Sequence, residues 1–359
     1  MTTTIRSKTK TVVLGMGALS ATLAMIGAMP LAEAAYVGGG AGIARLNAAN
    51  GVTVQVREIS KTMSDGKSVK FWVWCDGGMG GGGMGGGMGG GDGGCQLAGP
   101  TLELGVGQQA DVTLNMMMAP QENPPYHGHT IHPHGLDVRQ SEDGVPETGA
   151  AVLGDNYRFS VDSRYVGSHA YHCHVHTVKH LEMGMYAAFI VKAVDGRGNF
   201  VDVINQGGPS YDYEWNMLLS TVDPAYHTAT GDSTVFADYN PKYFLINGFE
   251  GKSKTAPAES VTAAAGAKLA IRLIGMHSVN STFEIKNASG SSQSFTVHNK
   301  DGFKLPAPIT TKKLDLSPGQ TADLMVTLPS TSGSWYPQVT YKNLRNGASY
   351  ATVYSRLNF

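Results

Sequence analysis

Charge is scarce in this chain. Asp, Glu, Lys and Arg make up 15% of its 359 residues, below the usual quarter. Lys and Arg (27) nearly balance Asp and Glu (28), and no basic stripe runs along any segment. The electrostatic footprint of a nucleic-acid binder is therefore missing. Long apolar runs are scarce as well. After the first 30 residues none reaches the roughly 18 residues of a bilayer span. No stretch repeats its apolar residues for long at a period near 3.6, which excludes a mainly helical chain. Cysteine occurs only three times, at Cys75, Cys95 and Cys173.

The one long apolar run lies at the N-terminus. Arg6, Lys8 and Lys10 precede an apolar stretch from Thr11 to about Pro30, and Ala32-Glu33-Ala34 is a small-x-small cleavage site. This pattern predicts a signal peptide over residues 1–34 and a periplasmic or secreted protein. There is no Arg-Arg pair, so Sec export is expected rather than the twin-arginine route; an uncleaved membrane anchor is the alternative. Without residues 1–34, which hold Arg6, Lys8, Lys10 and Glu33, the formal charge moves from −1 to −3.

Glycine is abundant, with 47 residues, which suits short strands and tight turns. Thr101–Leu104, Ala110–Met116, Tyr157–Val161 and Met185–Val191 read as strands between glycine breaks. The expectation is an all-β chain of two tandem sandwiches, residues 36–193 and 205–359. AVDGRGNFVDVINQGGPS has the turn residues of a linker between them, and Gly208-Pro209 marks its end. Cys75 and Cys95 bracket a low-complexity insert of Gly and Met, Asp76 to Gly94. In an oxidising compartment a disulfide closing that loop is the natural reading; a copper-binding pair is the alternative. The thioethers of Met79, Met84 and Met88 suit cuprous copper, so the insert is either a Cu(I)-capturing loop or a spacer. Met116 to Met118 fit packing at a strand end.

Nine of the 12 histidines fall between His127 and His180. The stretch from Tyr171 to Tyr186 reads YHCHVHTVKHLEMGMY. Cys, His and a trailing Met are the ligand types of a blue-copper electron-transfer site. On a strand, His172 and His174 point one way and Cys173 the other, so one tripeptide can serve two metal sites. Residues 127–135 read HGHTIHPHG. His132 and His134 share a strand face, and His129, three residues earlier, turns toward the opposite one. Two segments thus each supply ligands to both sites. Zinc accepts Cys and His but gains nothing from a trailing Met, so copper is the expected metal rather than a loose zinc or nickel sink.

These residues carry a resemblance. The chain is similar to the two-domain multicopper oxidases of the cupredoxin superfamily, which also holds the copper nitrite reductases. The pattern H-x-x-H-x-H-G is matched by His129, His132, His134 and Gly135. The pattern H-C-H, a later H, then x4-M is matched by His172, Cys173, His174, His180 and Met185. AGPTLELGVGQ (Ala98 to Gln108), YFLINGFEG (Tyr243 to Gly251), KLAIRLIG (Lys268 to Gly275) and SPGQTADLMV (Ser317 to Val326) extend the similarity over two cupredoxin-like Greek-key domains. The resemblance implies that His129, Cys173, His180 and Met185 bind type 1 copper. It implies that His132, His134, His172 and His174 face an oxygen-reducing type 2/type 3-like copper centre. Asp143, in EDGVPETG, matches a residue that relays protons there; an Asp-Gly turn is the other reading of it. His127, His169 and His176 fall outside the matched pattern and are read as non-ligands.

The resemblance further implies dioxygen as oxidant and, as electron donor, a phenol, a metal ion such as Cu(I), Fe(II) or Mn(II), or a redox protein. The Met-rich insert favours Cu(I) and a copper-tolerance role. Five residues separate His174 from His180 where many laccases have three. The larger departure concerns the second centre. The family's trinuclear site takes eight histidines from two domains, and only four are in place here. His227, His277 and His298 of the second half form no H-x-H pair. Either two first domains face each other, another protein supplies ligands, or the second site is smaller. Two further functions stay open: a copper nitrite reductase, with His134, His172 and a neighbour's His277 or His298, and a periplasmic copper carrier or electron-transfer protein. A homo-oligomer is expected, with a trimer as the usual assembly of two-domain members.

Overall fold

The computed structural model describes residues 34–38, 43–77, 95–116, 128–146, 156–228 and 239–359. Of the expected signal peptide only Ala34 is among them, and residues 78–94 of the Gly/Met insert lie outside them.

Residues 33–359 form one unit containing two β-sandwiches. One sheet of the first runs Arg45–Asn47, Thr101–Gly105, Tyr186–Val194, Gly167–His172, His132–His134. The facing sheet runs Ser68–Asp76, Val52–Thr62, Val112–Asn115, Asn156–Tyr157. Side chains alternate faces along each strand, so Val54 and Val56 meet Leu102, Leu104, Phe189 and Val191 in a closed core. Parallel pairs such as Phe189 with Leu102 join segments far apart in sequence, as crossing connections between two sheets require. The second sandwich packs Trp215, Ile271, Phe283, Phe295 and Tyr341 between a sheet centred on Lys268–Met276 and one centred on Ser334–Lys342. Ala35–Tyr36 pairs with Tyr213–Glu214 and so belongs to this second set of strands.

The strand Ser68–Asp76 reads SVKFWVWCD, apolar on both faces. That pattern marks a strand covered on both sides. Trp72 and Trp74 point into the first core, while Phe71, Val73 and Cys75 point into a separate apolar layer. There they meet Ala188 and Ile190 of the first sandwich and Leu218, Leu245 and Ile274 of the second. Cys75 is bonded to Cys95, the disulfide expected from the spacing, with Cα atoms 4.6 Å apart.

Some expected strands are shorter. Tyr157–Val161 pairs regularly only at Asn156–Tyr157, and Ser160 adds an isolated bridge to Gln109. The strand bearing the His-Cys-His tripeptide ends at His172. Cys173 and His174 leave it to enter a turn and the short helix Thr177–Met183, which ends at Gly184 (φ 110°). That left-handed C-cap favours glycine.

Beside the apolar layer, charges cross between the sandwiches. Arg272 is fully buried and bonds Glu214 and Asp323, the latter at 2.9 Å. Lys192 of the first sandwich reaches Glu214 at 3.1 Å and Asp202 at 2.8 Å, and Arg45 reaches Glu214 at 3.1 Å. Burial alone would raise the pKa of Glu214, but Lys192, Arg272 and Arg45 hold its carboxyl well below the usual range. Asp323 accepts from Ser168 N at 3.1 Å and from the Ser168 hydroxyl, and Thr321 donates to Ser168 O at 2.7 Å. Gly167 permits this approach: a Cβ there would lie 2.6 Å from Asp323 Oδ2. The strand that ends in His172 is thereby clamped to the second sandwich.

Removing one member should expose the cost of the rest. Arg272→Met leaves two buried carboxylates short of a partner, and is expected to lower unfolding free energy by about 3–5 kcal/mol in urea titrations.

Candidate metal centres

The strand Gly167–His172 lies between His132–His134 and Tyr186–Val194. Its register sets His172 opposite His132, and Ala170 opposite His134. Directly opposed residues share a face, so the imidazoles of both strands gather on one side. Beyond the strand end, Cys173 turns inward and its N–H donates to Met185 O at 3.1 Å.

On the inner side three donors converge. Cys173 Sγ lies 3.1 Å from His180 Nδ1 and 3.7 Å from His129 Nδ1, and the two nitrogens are 3.3 Å apart. Metal–ligand distances of about 2.0–2.3 Å put two donors of one ion roughly 3.3–3.8 Å apart, so the spacing fits a single ion. All three side chains are buried, as is Met185. The helix Thr177–Met183 brings His180 in, and Met185 N donates to His180 O at 3.0 Å just after its C-cap. Trp72 closes the cluster, its ring centroid 5.5 Å from that of His180 and 6.2 Å from that of His129. Lys179 Nζ sits 5.3 Å over the same indole. Two imidazoles and a thiolate in a dry apolar setting form a donor set for copper.

On the outer side, ring nitrogens of His132, His134 and His172 lie within 4.8 Å of one another. The His174 ring is 5.1 Å from His132 and 5.9 Å from His172, and its buried Nδ1 has no hydrogen-bond partner. An orphaned buried nitrogen beside three others fits a metal ligand. His172 Nδ1 is 2.9 Å from Cys173 O, which turns Nε2 toward His134 Nδ1, 3.4 Å away, the spacing of two donors to one ion. His132 Nδ1 is 2.6 Å from Asp143 O and 3.2 Å from its carboxylate, and so is oriented likewise. Thr130 Oγ1 accepts from His174 N at 3.1 Å. Burial, reinforced by neighbouring imidazoles, lowers the pKa of His134. Burial also lowers that of His172 to about 3, against the hydrogen bond to Cys173 O. Both are neutral at pH 7, the form that ligates.

The structure thus gathers His129, Cys173 and His180 around one point, with Met185 buried in the same core and its backbone bonded to Cys173 and His180, and it gathers His132, His134, His172, His174 and Asp143 around another. It leaves other histidines apart. His169 is buried, with Nε2 2.8 Å from Tyr165 O. His176 takes a left-handed backbone (φ 44°) ahead of the helix, its ring 5.9 Å from that of His180. His277 bonds Ser281 Oγ at 2.9 Å inside the second sandwich, and His298 lines a surface cavity with Lys268 and Thr296. His127 lies outside the described residues. Sequence reasoning missed Trp72, whose signal is the doubly apolar strand, and the helix that carries His180, whose seven residues are too few to show a period.

Comparison with known proteins agrees with this geometry. Two family models described as multicopper oxidase match residues 94–196 and 221–356. The chain belongs to the multicopper oxidase family: it is an oxidoreductase of two cupredoxin domains, and its cofactor is copper. No curated protein matches it by sequence. Among solved structures it is similar to the blue copper oxidase from Nitrosomonas europaea, at 19% identity and TM-score 0.60, covering 85% of each chain. It is similar to a multi-copper oxidase from Pseudomonas Thermotolerans, at 17% identity and TM-score 0.58, covering 85% of this chain and 62% of that one. A Campylobacter jejuni multicopper oxidase described as a metallo-oxidase gives 18% identity and TM-score 0.57, covering 85% and 56%.

The pKa values give a sign to acid sensitivity. His172 titrates in the folded chain at about 3, and His169 and His277 at about 4. Unfolded histidines titrate at about 6.5, so between these values the unfolded state binds more protons and stability falls as pH falls. Copper-free protein is expected to lose stability from about pH 6.5 down to about pH 3, and His277→Gln to flatten that slope, as read by urea midpoints across pH.

Proposed function

We propose that this protein is an oxidase that takes electrons from a small reductant at a type 1 copper cluster of His129, Cys173, His180 and Met185, and delivers them to dioxygen at the His132, His134, His172 and His174 face. The carrying observation is the shared tripeptide. Cys173 turns to one cluster, and His172 and His174 on either side of it turn to the other, so the bonded path between them is a few covalent links. Copper bound in the two clusters supplies the one-electron chemistry and the reduction of dioxygen. The chain's own residues set the conditions. Trp72 and the buried core exclude water from Cys173. The carbonyls of Cys173 and Asp143 fix the ring orientation of His172 and His132. The Asp143 carboxylate, 3.2 Å from His132 Nδ1 and 29% exposed, supports a role for Asp143 in passing protons from solvent toward the histidine face.

Cu(I) is the donor we favour, in a copper-tolerance role outside the cytoplasm. Met79, Met84 and Met88 belong to the insert whose ends are joined by the Cys75–Cys95 bond. Cys75 lies three residues from Trp72 on one strand, roughly 10 Å at strand rise, so the root of a soft-metal loop stands close to the cysteine cluster. The signal peptide read from residues 1–34 supports export, and among the described residues no helix is long and apolar enough to cross a membrane. A phenol is favoured by a different observation: a cavity of about 600 Å³, lined by Val178, Glu182, Tyr239 and Tyr350, opens beside the helix that carries His180. The nitrite reductase reading takes His134 and His172, whose ring nitrogens lie 3.4 Å apart, with a neighbour's His277 or His298.

Copper-loaded protein is expected to show an intense thiolate-to-copper band and to consume oxygen with Cu(I). Cys173→Ser should abolish the band and the turnover. Asp143→Asn should keep the band and slow oxygen consumption by about 10²-fold. Turnover of nitrite instead of oxygen would move the assignment to nitrite reduction, and a missing band in the parent protein would remove it altogether.

A further inference from the structure

The histidine face is half of what a trinuclear oxygen-reducing centre takes, and the supply of imidazoles in this chain is limited. The second sandwich holds only His227, His277 and His298. His227 is 7% exposed, with Nδ1 2.5 Å from Lys70 O. His277 is 3% exposed and bonded to Ser281. Both are buried and bonded inside their own fold. His298 borders a side cavity of about 260 Å³ and offers one nitrogen at most. In the first sandwich, His169 is held by Tyr165 O and shut in by Gly302, where a Cβ would lie 2.0 Å from its ring. His176 packs on His180, in the other cluster.

Among the described residues, the imidazoles left outside the cysteine cluster are those of His132, His134, His172 and His174, and all but His172 are partly exposed. His132 keeps 17% of its side chain exposed, and His134 and His174 are half-buried. The second sandwich borders this face at Gly319, where an added Cβ would stand 3.7 Å from His134 Nε2. A head-to-tail neighbour, presenting its second sandwich, could bring His298 alone. A neighbour related by a two-fold axis presents the same patch again, and so brings four imidazoles to four.

We propose that the oxygen-reducing centre is completed by a second copy of this chain, first sandwich to first sandwich across a two-fold axis, each copy supplying His132, His134, His172 and His174. The proposal rests on the oxidase reading above. One shared centre then serves two cysteine clusters, and the assembly is even-numbered rather than trimeric.

The test is the mass of the purified, copper-loaded protein by light scattering, with copper content and the thiolate band read on the same sample. A dimer holding three shared coppers, plus one for each Cys173 cluster, is expected, with dissociation on chelation. His134→Ala should keep the band and fall to monomer, while His298→Ala should change neither mass nor copper. A copper-loaded monomer, a trimer, a dimer indifferent to His134→Ala, or copper lost on His298→Ala would each overturn the proposal. Absence of the band in the parent protein sinks the oxidase reading separately, while the mass still decides the assembly.

Discussion

The buried charges around Arg272 hold the rest in place. A guanidinium with no solvent contact is tolerated only because Glu214 and Asp323 lie against it, and each carboxylate has further donors from the other sandwich. Asp323 is the important link. Through the backbone and hydroxyl of Ser168 it fixes the strand that runs on to His172, four residues later. The position of both clusters therefore depends on a contact between the two halves of the chain.

From that strand the arrangement of the site follows with little further freedom. Register sets His172 against His132, and the strand end releases Cys173 inward. The turn after it takes a left-handed residue at His176 and a glycine at position 184, and it returns His180 to the sulfur and the Met185 backbone to Cys173 N. The thiolate cluster is dry and the imidazole cluster is open, because one lies inside the sandwich and the other at its end. On the proposed reading, that difference suits one group to exchanging electrons only and the other to admitting a gas and protons.

Much of this was legible in the sequence. Ligand chemistry demands particular residue types, so HGHTIHPHG and YHCHVHTVKHLEMGM stand out against any background. Alternation in VTVQVREISKT and the two-faced run FWVWC mark strands and their burial. What the sequence withheld was non-local or short. Ser168 and Asp323 are 155 residues apart, and nothing near either announces the other. The helix carrying His180 has too few turns to show a period, and Asn156–Tyr157 is too short a strand to tell from a loop. Trp72 reads as core, and only the assembled sandwich shows that the core at that point is the wall of a metal cluster.

The helix that presents His180 is held at both ends of its function. Two residues on, Glu182 accepts from Asp223 N at 2.6 Å and from Tyr239 OH at 3.1 Å, both in the second sandwich. Trp72 packs against both His180 and His129, so both imidazoles rest on one buried indole. On the proposed oxidase reading, ligands fixed in this way would leave little nuclear rearrangement to each transfer, and the speed of the relay would be set by distance and driving force rather than by the protein having to move.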